Sequence, residues 1–153
     1  MIDQELRQFI VGPVMLIVGS VGADRRCAIG RASGARVTGD GAMEVLVSRW
    51  QWPDTIDNLL ANPAMSLTAA SPVDYTCFQL KGASALRPAA DADLALAERY
   101  IDDTYQLMTS LGVPTNSASA WFSNRDLWTV TLTVADVFIQ TPGPRAGRRR
   151  TAP

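Results

Sequence analysis

Residues 27–48 read "CAIGRASGARVTGDGAMEVLVS", two β-forming runs either side of a glycine-flanked turn. Residues 27–38 read as one strand, the Gly39–Asp40–Gly41 run as a turn, and residues 42–48 as the returning strand of a hairpin. Inside the first strand, "RASGAR" sets Arg31 and Arg36 five residues apart. An odd spacing sends two side chains to opposite faces of a regular strand. Gly34 between them marks a bulge, and one extra residue returns both arginines to a common face. A guanidinium fork holds phosphate oxygens by paired hydrogen bonds, and the small residues leave backbone room for something flat. Arg31, Ser33, Gly34 and Arg36 are therefore candidate ligand contacts. The alternative is that one arginine is a surface residue and the other pairs with a carboxylate.

Working outward, further strands are expected at 13–20, 64–71, 75–86 and 127–140 from apolar or alternating runs between turn residues. Helices are expected at 2–10 with Asp3 as cap, at 53–63 with Pro53 in its first turn, and at 91–112. In the last, Leu96, Tyr100, Thr104, Leu107 and Leu111 recur at helical spacing. Strands and helices do not alternate regularly, and no GxGxxG opens a helix, which argues against a Rossmann fold. Hairpin-linked strands point to a mainly β (α+β) domain, a closed or partly open antiparallel barrel flanked by a few helices. One domain over 1–142 and a flexible basic tail over 143–153 are expected.

The 153 residues are 47% hydrophobic and 19% charged, a globular composition large enough for a real core. The longest apolar run, 9–19, is broken by Gly12 and Pro13 and lacks a basic leader, so a cytoplasmic protein with no membrane segment is expected. Cys27 and Cys77 read as two buried reduced thiols. There is no histidine, which removes Ser-His-Asp and Cys-His catalysis and histidine-ligated zinc together. Catalysis, if present, then falls to a cofactor. The net charge is −1, and setting aside the four tail arginines leaves −5. A nucleic-acid contact through the tail needs a basic body as well, and the body is acidic.

Two more clusters carry polar groups. "SRWQWPDT" (48–55) places Ser48, Arg49, Gln51 and Thr55 at a strand end and helix start, where free N–H groups favour phosphate. Trp50 and Trp52 suit ring stacking or a barrel wall or subunit interface equally. "CFQLKG" (77–82) puts Gln79 and Lys81 on one face of a strand, toward a cavity or toward solvent.

With "CAIGRASGARVTGDGAMEVLVS", "WPDTIDNLLANPAMSLTAASP" and "YTCFQLKG" in this order, the chain resembles the pyridoxamine 5′-phosphate oxidase-like family of FMN-binding split β-barrels over residues 12–88. The resemblance implies a homodimer with FMN at the subunit interface. It implies that Arg31 and Arg36 line the FMN phosphate and ring, that Ser48 and Arg49 fall near a phosphate-contacting segment, and that Gln79 contacts the ring. Where the oxidases have an Arg-Lys pair at the helix start, this chain has Asp54 and Thr55 or, with a shifted register, Arg49. Its C-terminus, "QTPGPRAGRRRTAP", lacks the histidine with which the oxidases hold substrate, so a small-molecule substrate other than pyridoxamine phosphate is expected. Residues 114–128 stand where a specificity loop with Trp121 and Phe122 as apolar lids would lie. The expected function is an FMN-dependent oxidoreductase. The alternative is a non-catalytic dimer that binds flavin, deazaflavin or haem and has lost the redox site.

Overall fold

The computed structural model describes residues 2–39 and 41–151. Six strands, β1 (Met15–Val21), β2 (Cys27–Val37), β3 (Ala42–Ser48), β4 (Ala64–Ala70), β5 (Cys77–Pro88) and β6 (Leu127–Ile139), close an antiparallel barrel in the order β1-β2-β3-β6-β5-β4. Four helices accompany it: α1 (Gln4–Ile10), α2 (Pro53–Ala61), α3 (Asp91–Ser110) and α4 (Thr115–Ser119). All but α4 stand within a few residues of expectation; α4 lies in the stretch read as a loop. Asp40, inside the expected hairpin turn, and the last two residues of the expected tail lie outside the described residues.

Strand alternation closes the barrel. Leu16 and Val18, Val45 and Val47, Leu67 and Ala69, and Val130 and Leu132 point inward into one core cluster. The expected bulge is present: β2 shifts register against β3 between Ala32, opposite Val47, and Ala35, opposite Val45. Both alanines face the core, so Arg31 and Arg36 share the outer face, as the bulge reading requires. A second shift, on β5 at Lys81/Gly82, brings the backbones so close that a Cβ on Gly82 would stand 1.9 Å from the Thr133 carbonyl oxygen.

Helices close the barrel ends and one flank. At α1, the Asp3 carboxylate caps the helix by accepting from the Leu6 N–H (2.9 Å), Leu6 and Ile10 enter the core, and Phe9 meets Phe78 edge-on at 5.2 Å. At the opposite end, α2 buries Thr55, Ile56 and Leu59, and Asn58 donates to Ser20 (3.2 Å). Helix α3 lies outside β2 and β3, with Leu96 and Ala97 packed on Gly34. Gly34 has φ +154°, a conformation suited to glycine, and its bare backbone lets the helix approach. The buried stripe of α3 is Asp93, Ala97, Tyr100, Thr104 and Met108, so Leu111 is left exposed. A carboxylate can lie in that stripe because two arginines meet it, as described below.

The stretch from residue 143, expected as a solvated end, folds back onto the body. β3 leaves β6 near Thr133, so the last turns of β6 have a free edge. The tail takes that edge: Gly147 N–H donates to Ile139, Ile139 N–H to Arg148, and Arg150 N–H to Val137 (2.7–2.9 Å). Arg150 then pairs with Asp3 and Glu5 of α1 and lies over the Phe78 ring, and Arg149 pairs with Asp136. Composition gives no hint of the edge, because it does not show where a sheet is left unpaired. No described helix is long and apolar enough to cross a membrane.

Candidate functional site: an open sheet face

A shallow depression of about 470 Å³ opens on the outer face of β1, β2, β4 and β5, lined by strand residues alone. Residues directly opposite across antiparallel strands share a face, so the registers order this surface into rows. Arg31 faces Ile17, Ile17 faces Thr68, and Thr68 faces Gln79. Two residues along, Ile29 faces Gly19, Gly19 faces Ser66, and Ser66 faces Lys81. Four strands at about 4.8 Å spacing separate the ends of a row by roughly 14 Å. Gly19 keeps the middle flat: a Cβ there would come within 2.5 Å of the Ser66 hydroxyl. Ile29, 69% exposed, stands at the edge of this surface.

The flanking side chains are cationic and polar. Arg31 makes no ion pair among the described residues and stacks on Trp121 at 4.8 Å. Lys81, at the other side, lies 5.1 Å from the Phe138 ring centroid, also without an ion pair. Gln79 donates to Thr68 (3.2 Å), which holds its amide on the face. Of the lids expected at 114–128, Trp121 borders this face through Arg31, whereas Phe122 is buried against Tyr100 and Tyr105.

Arg36 shares the outer face with Arg31 but stands under α3. It donates to Glu44 (2.6 Å) on the neighbouring strand and to Asp93 (2.6 Å) at the start of α3. Arg87 reaches the same Asp93 carboxylate at 2.7 Å, Thr129 donates to it at 3.0 Å, and the Ala90 N–H donates at 2.8 Å. Hydrogen bonds from Arg87, working against burial, hold the Asp93 carboxyl well below the usual carboxylate range. Burial opposes the charge on Arg36, yet Glu44 and Asp93 hold its pKa above the ordinary value. The arginine paired with a carboxylate is therefore Arg36. Ser33 is buried, and the room beside Gly34 is filled by α3.

The 48–55 cluster does not converge on one point. The Ser48 hydroxyl donates to the Arg125 carbonyl (2.6 Å) and accepts from the Gln51 N–H (3.2 Å). Arg49 pairs with Asp57 at 2.7 Å. Thr55 is buried inside the barrel end, against Gly30. Gln51 donates to the Ala120 carbonyl at 2.6 Å, and its Oε1, like Asn124 Oδ1, is buried without a donor among the described residues. Ser48 and Gln51 thus anchor the loop that carries Trp121. Trp50 is exposed under Arg125, and Trp52 packs on the core.

The thiols differ from expectation. Cys27 opens β2 on the outer face and is exposed; Cys77 is half-buried, and burial pushes its thiol pKa up. Ile29, Gly19, Ser66 and Thr68 were not singled out from sequence. Their common face becomes visible only once the strand order is known.

This barrel and its flanking helices form the split-barrel fold. No protein-family model and no curated protein matches the chain. Among solved structures it is similar to an F420 reductase, at 12% identity and a TM-score of 0.55, over 86% of this chain and 94% of that one. It is similar to HutZ, the haem storage protein from Vibrio cholerae, at 16% identity and 0.54, over 90% and 94%. A protein described as a pyridoxamine 5′-phosphate oxidase from Lactobacillus delbrueckii aligns at 13% identity and 0.50, over 81% and 83%. At these identities the likeness is one of fold.

Proposed function

We propose that this chain is an FMN-dependent oxidoreductase that carries its flavin on the open face of β1, β2, β4 and β5, where a second copy covers it. The observation that carries the reading is the flat row surface, floored by Gly19 and Ser66 and flanked by two cations free of ion pairs, Arg31 and Lys81. A planar ring fits such a floor, and a phosphate needs a free guanidinium or ammonium nearby. Arg31 would hold the phosphate, Gln79 and Lys81 the polar edge of the ring, and Trp121 would wall one end. Arg36, Ser48, Arg49 and Thr55 have other partners and would take no part. FMN, when bound, supplies the hydride or electron chemistry that the chain's own side chains lack. The substrate is a small molecule other than pyridoxamine phosphate, since no histidine stands in the C-terminal segment.

An isolated protomer leaves the face open to water. A second copy laid on it would bury Ile29 and exclude solvent from the ring, so a homodimer is part of this reading. The test is reduction of FMN-loaded protein by NADH or NADPH, followed as bleaching of the flavin absorbance under anaerobic conditions. Bleaching with turnover on re-oxidation supports an oxidoreductase. Flavin that binds and is reduced by neither donor, nor by photoreduction, would leave the second reading: a non-catalytic carrier of flavin, deazaflavin or haem. That reading is favoured by one observation, the dispersal of the 48–55 cluster, whose side chains are taken up by protein partners or buried.

A further inference from the structure

A cavity of about 880 Å³ is away from the open face, between the folded-back tail and the start of α1. Four arginines line it, and they divide into two pairs. Arg149 and Arg150 are spent holding the tail, on Asp136 and on Asp3 with Glu5. Arg145 and Arg148 make no ion pair among the described residues, although the body of the chain is acidic. The turn 144–147 keeps them close, with the Arg148 N–H donating to the Arg145 carbonyl at 3.1 Å. Both side chains are exposed, so water screens their mutual repulsion, and an anion placed between them gains from both charges.

We infer that Arg145 and Arg148 form an anion site for a ligand carrying a pyrophosphate group, each guanidinium taking one phosphate. A planar fork matches phosphate oxygens in pairs, so two forks select two linked phosphates over one. The site exists only because the tail pairs with the β6 edge, which fixes the turn between the two arginines. It is independent of the flavin reading, since none of its residues belongs to the open face.

The experiment is calorimetric titration of the full chain with inorganic pyrophosphate, and separately with inorganic phosphate, at low and moderate salt. Saturable binding at one pyrophosphate per chain is expected, with phosphate weaker by about tenfold or more. R145Q/R148Q should weaken pyrophosphate by at least about tenfold and leave the melting temperature unchanged, because neither arginine holds the fold. R26Q/R99Q, which removes equal charge from exposed arginines elsewhere, should leave affinity within about twofold. Absence of saturable binding, or equal weakening by both double variants, would overturn the site. So would a single-stranded oligonucleotide that displaces pyrophosphate with affinity rising with its length, which would make the tail a nucleic-acid contact.

Discussion

Replacing Asp93 by asparagine removes one negative charge and almost no volume. The side chain is 1% exposed and accepts from Arg36, Arg87, Thr129 and the Ala90 N–H. Asparagine retains an acceptor for the Ala90 N–H and for Thr129, so the helix start survives. It leaves two guanidinium groups sharing Glu44 alone. Breaking a fully buried pair costs about 3–5 kcal/mol. Here the Arg36 and Arg87 side chains are 33% and 44% exposed, so water can take up part of the loss, and about 2–3 kcal/mol is expected. In urea denaturation the midpoint should fall with the slope unchanged, and Tm should drop by about 5–10 °C. The sign with pH follows from the carboxyl being held below its ordinary range. The unfolded chain binds the proton first, so Asp93 stabilises fully above about pH 5 and progressively less as acid is added. The D93N protein should therefore show a flatter stability profile than the natural chain below about pH 5. A loss under about 0.5 kcal/mol, or parallel acid profiles, would refute the view that this carboxylate pins α3 to the barrel.

Gly82→Ala places a methyl group where the Thr133 carbonyl oxygen stands at 1.9 Å, and should cost more than about 3 kcal/mol or yield insoluble protein; soluble expression and urea midpoint decide it. Arg150→Ala removes the ion pairs that hold the tail to α1. It should speed amide exchange at Ile139 and Gly147 while costing about 1 kcal/mol of global stability, read by hydrogen exchange and urea titration. Tyr100 is buried and donates to the Val14 carbonyl at 2.5 Å, and burial pushes its pKa up to about 12. The folded state keeps the phenol neutral, so this contribution is intact below about pH 10 and is lost toward pH 12; Tyr100→Phe should blunt the alkaline unfolding seen by circular dichroism.

The hairpin at 27–48 and the bulge at Gly34 were legible in the sequence because both are local: strand alternation, a turn and one glycine within a few residues. From them the common face of Arg31 and Arg36 followed correctly. Their separate fates did not, because only one partner of Arg36, Glu44, lies within the hairpin, and the buried one, Asp93, lies 57 residues later on α3. Gln79 and Lys81 were placed on one face by spacing alone, but the floor between them and Arg31 comes from β1 and β4. Nothing in β1 or β4 announces that these two strands lie side by side until the barrel order is known. The fold-back of the tail was hidden for the same reason, since its docking edge is left free because β3 begins only at Ala42, opposite Thr133.

The central claim is that the two arginines of "RASGAR" have parted roles, one facing a ligand and one facing the fold. Titrating FMN into the natural chain, R31A and R36A while following flavin fluorescence tests it directly. The account predicts quenching that saturates at one FMN per chain, weakened at least about tenfold in R31A. In R36A affinity should be unchanged at a temperature where the protein is folded, while stability falls. Equal affinity in R31A, or loss confined to R36A, would contradict it, and a natural chain that never quenches FMN would remove the flavin from the open face altogether.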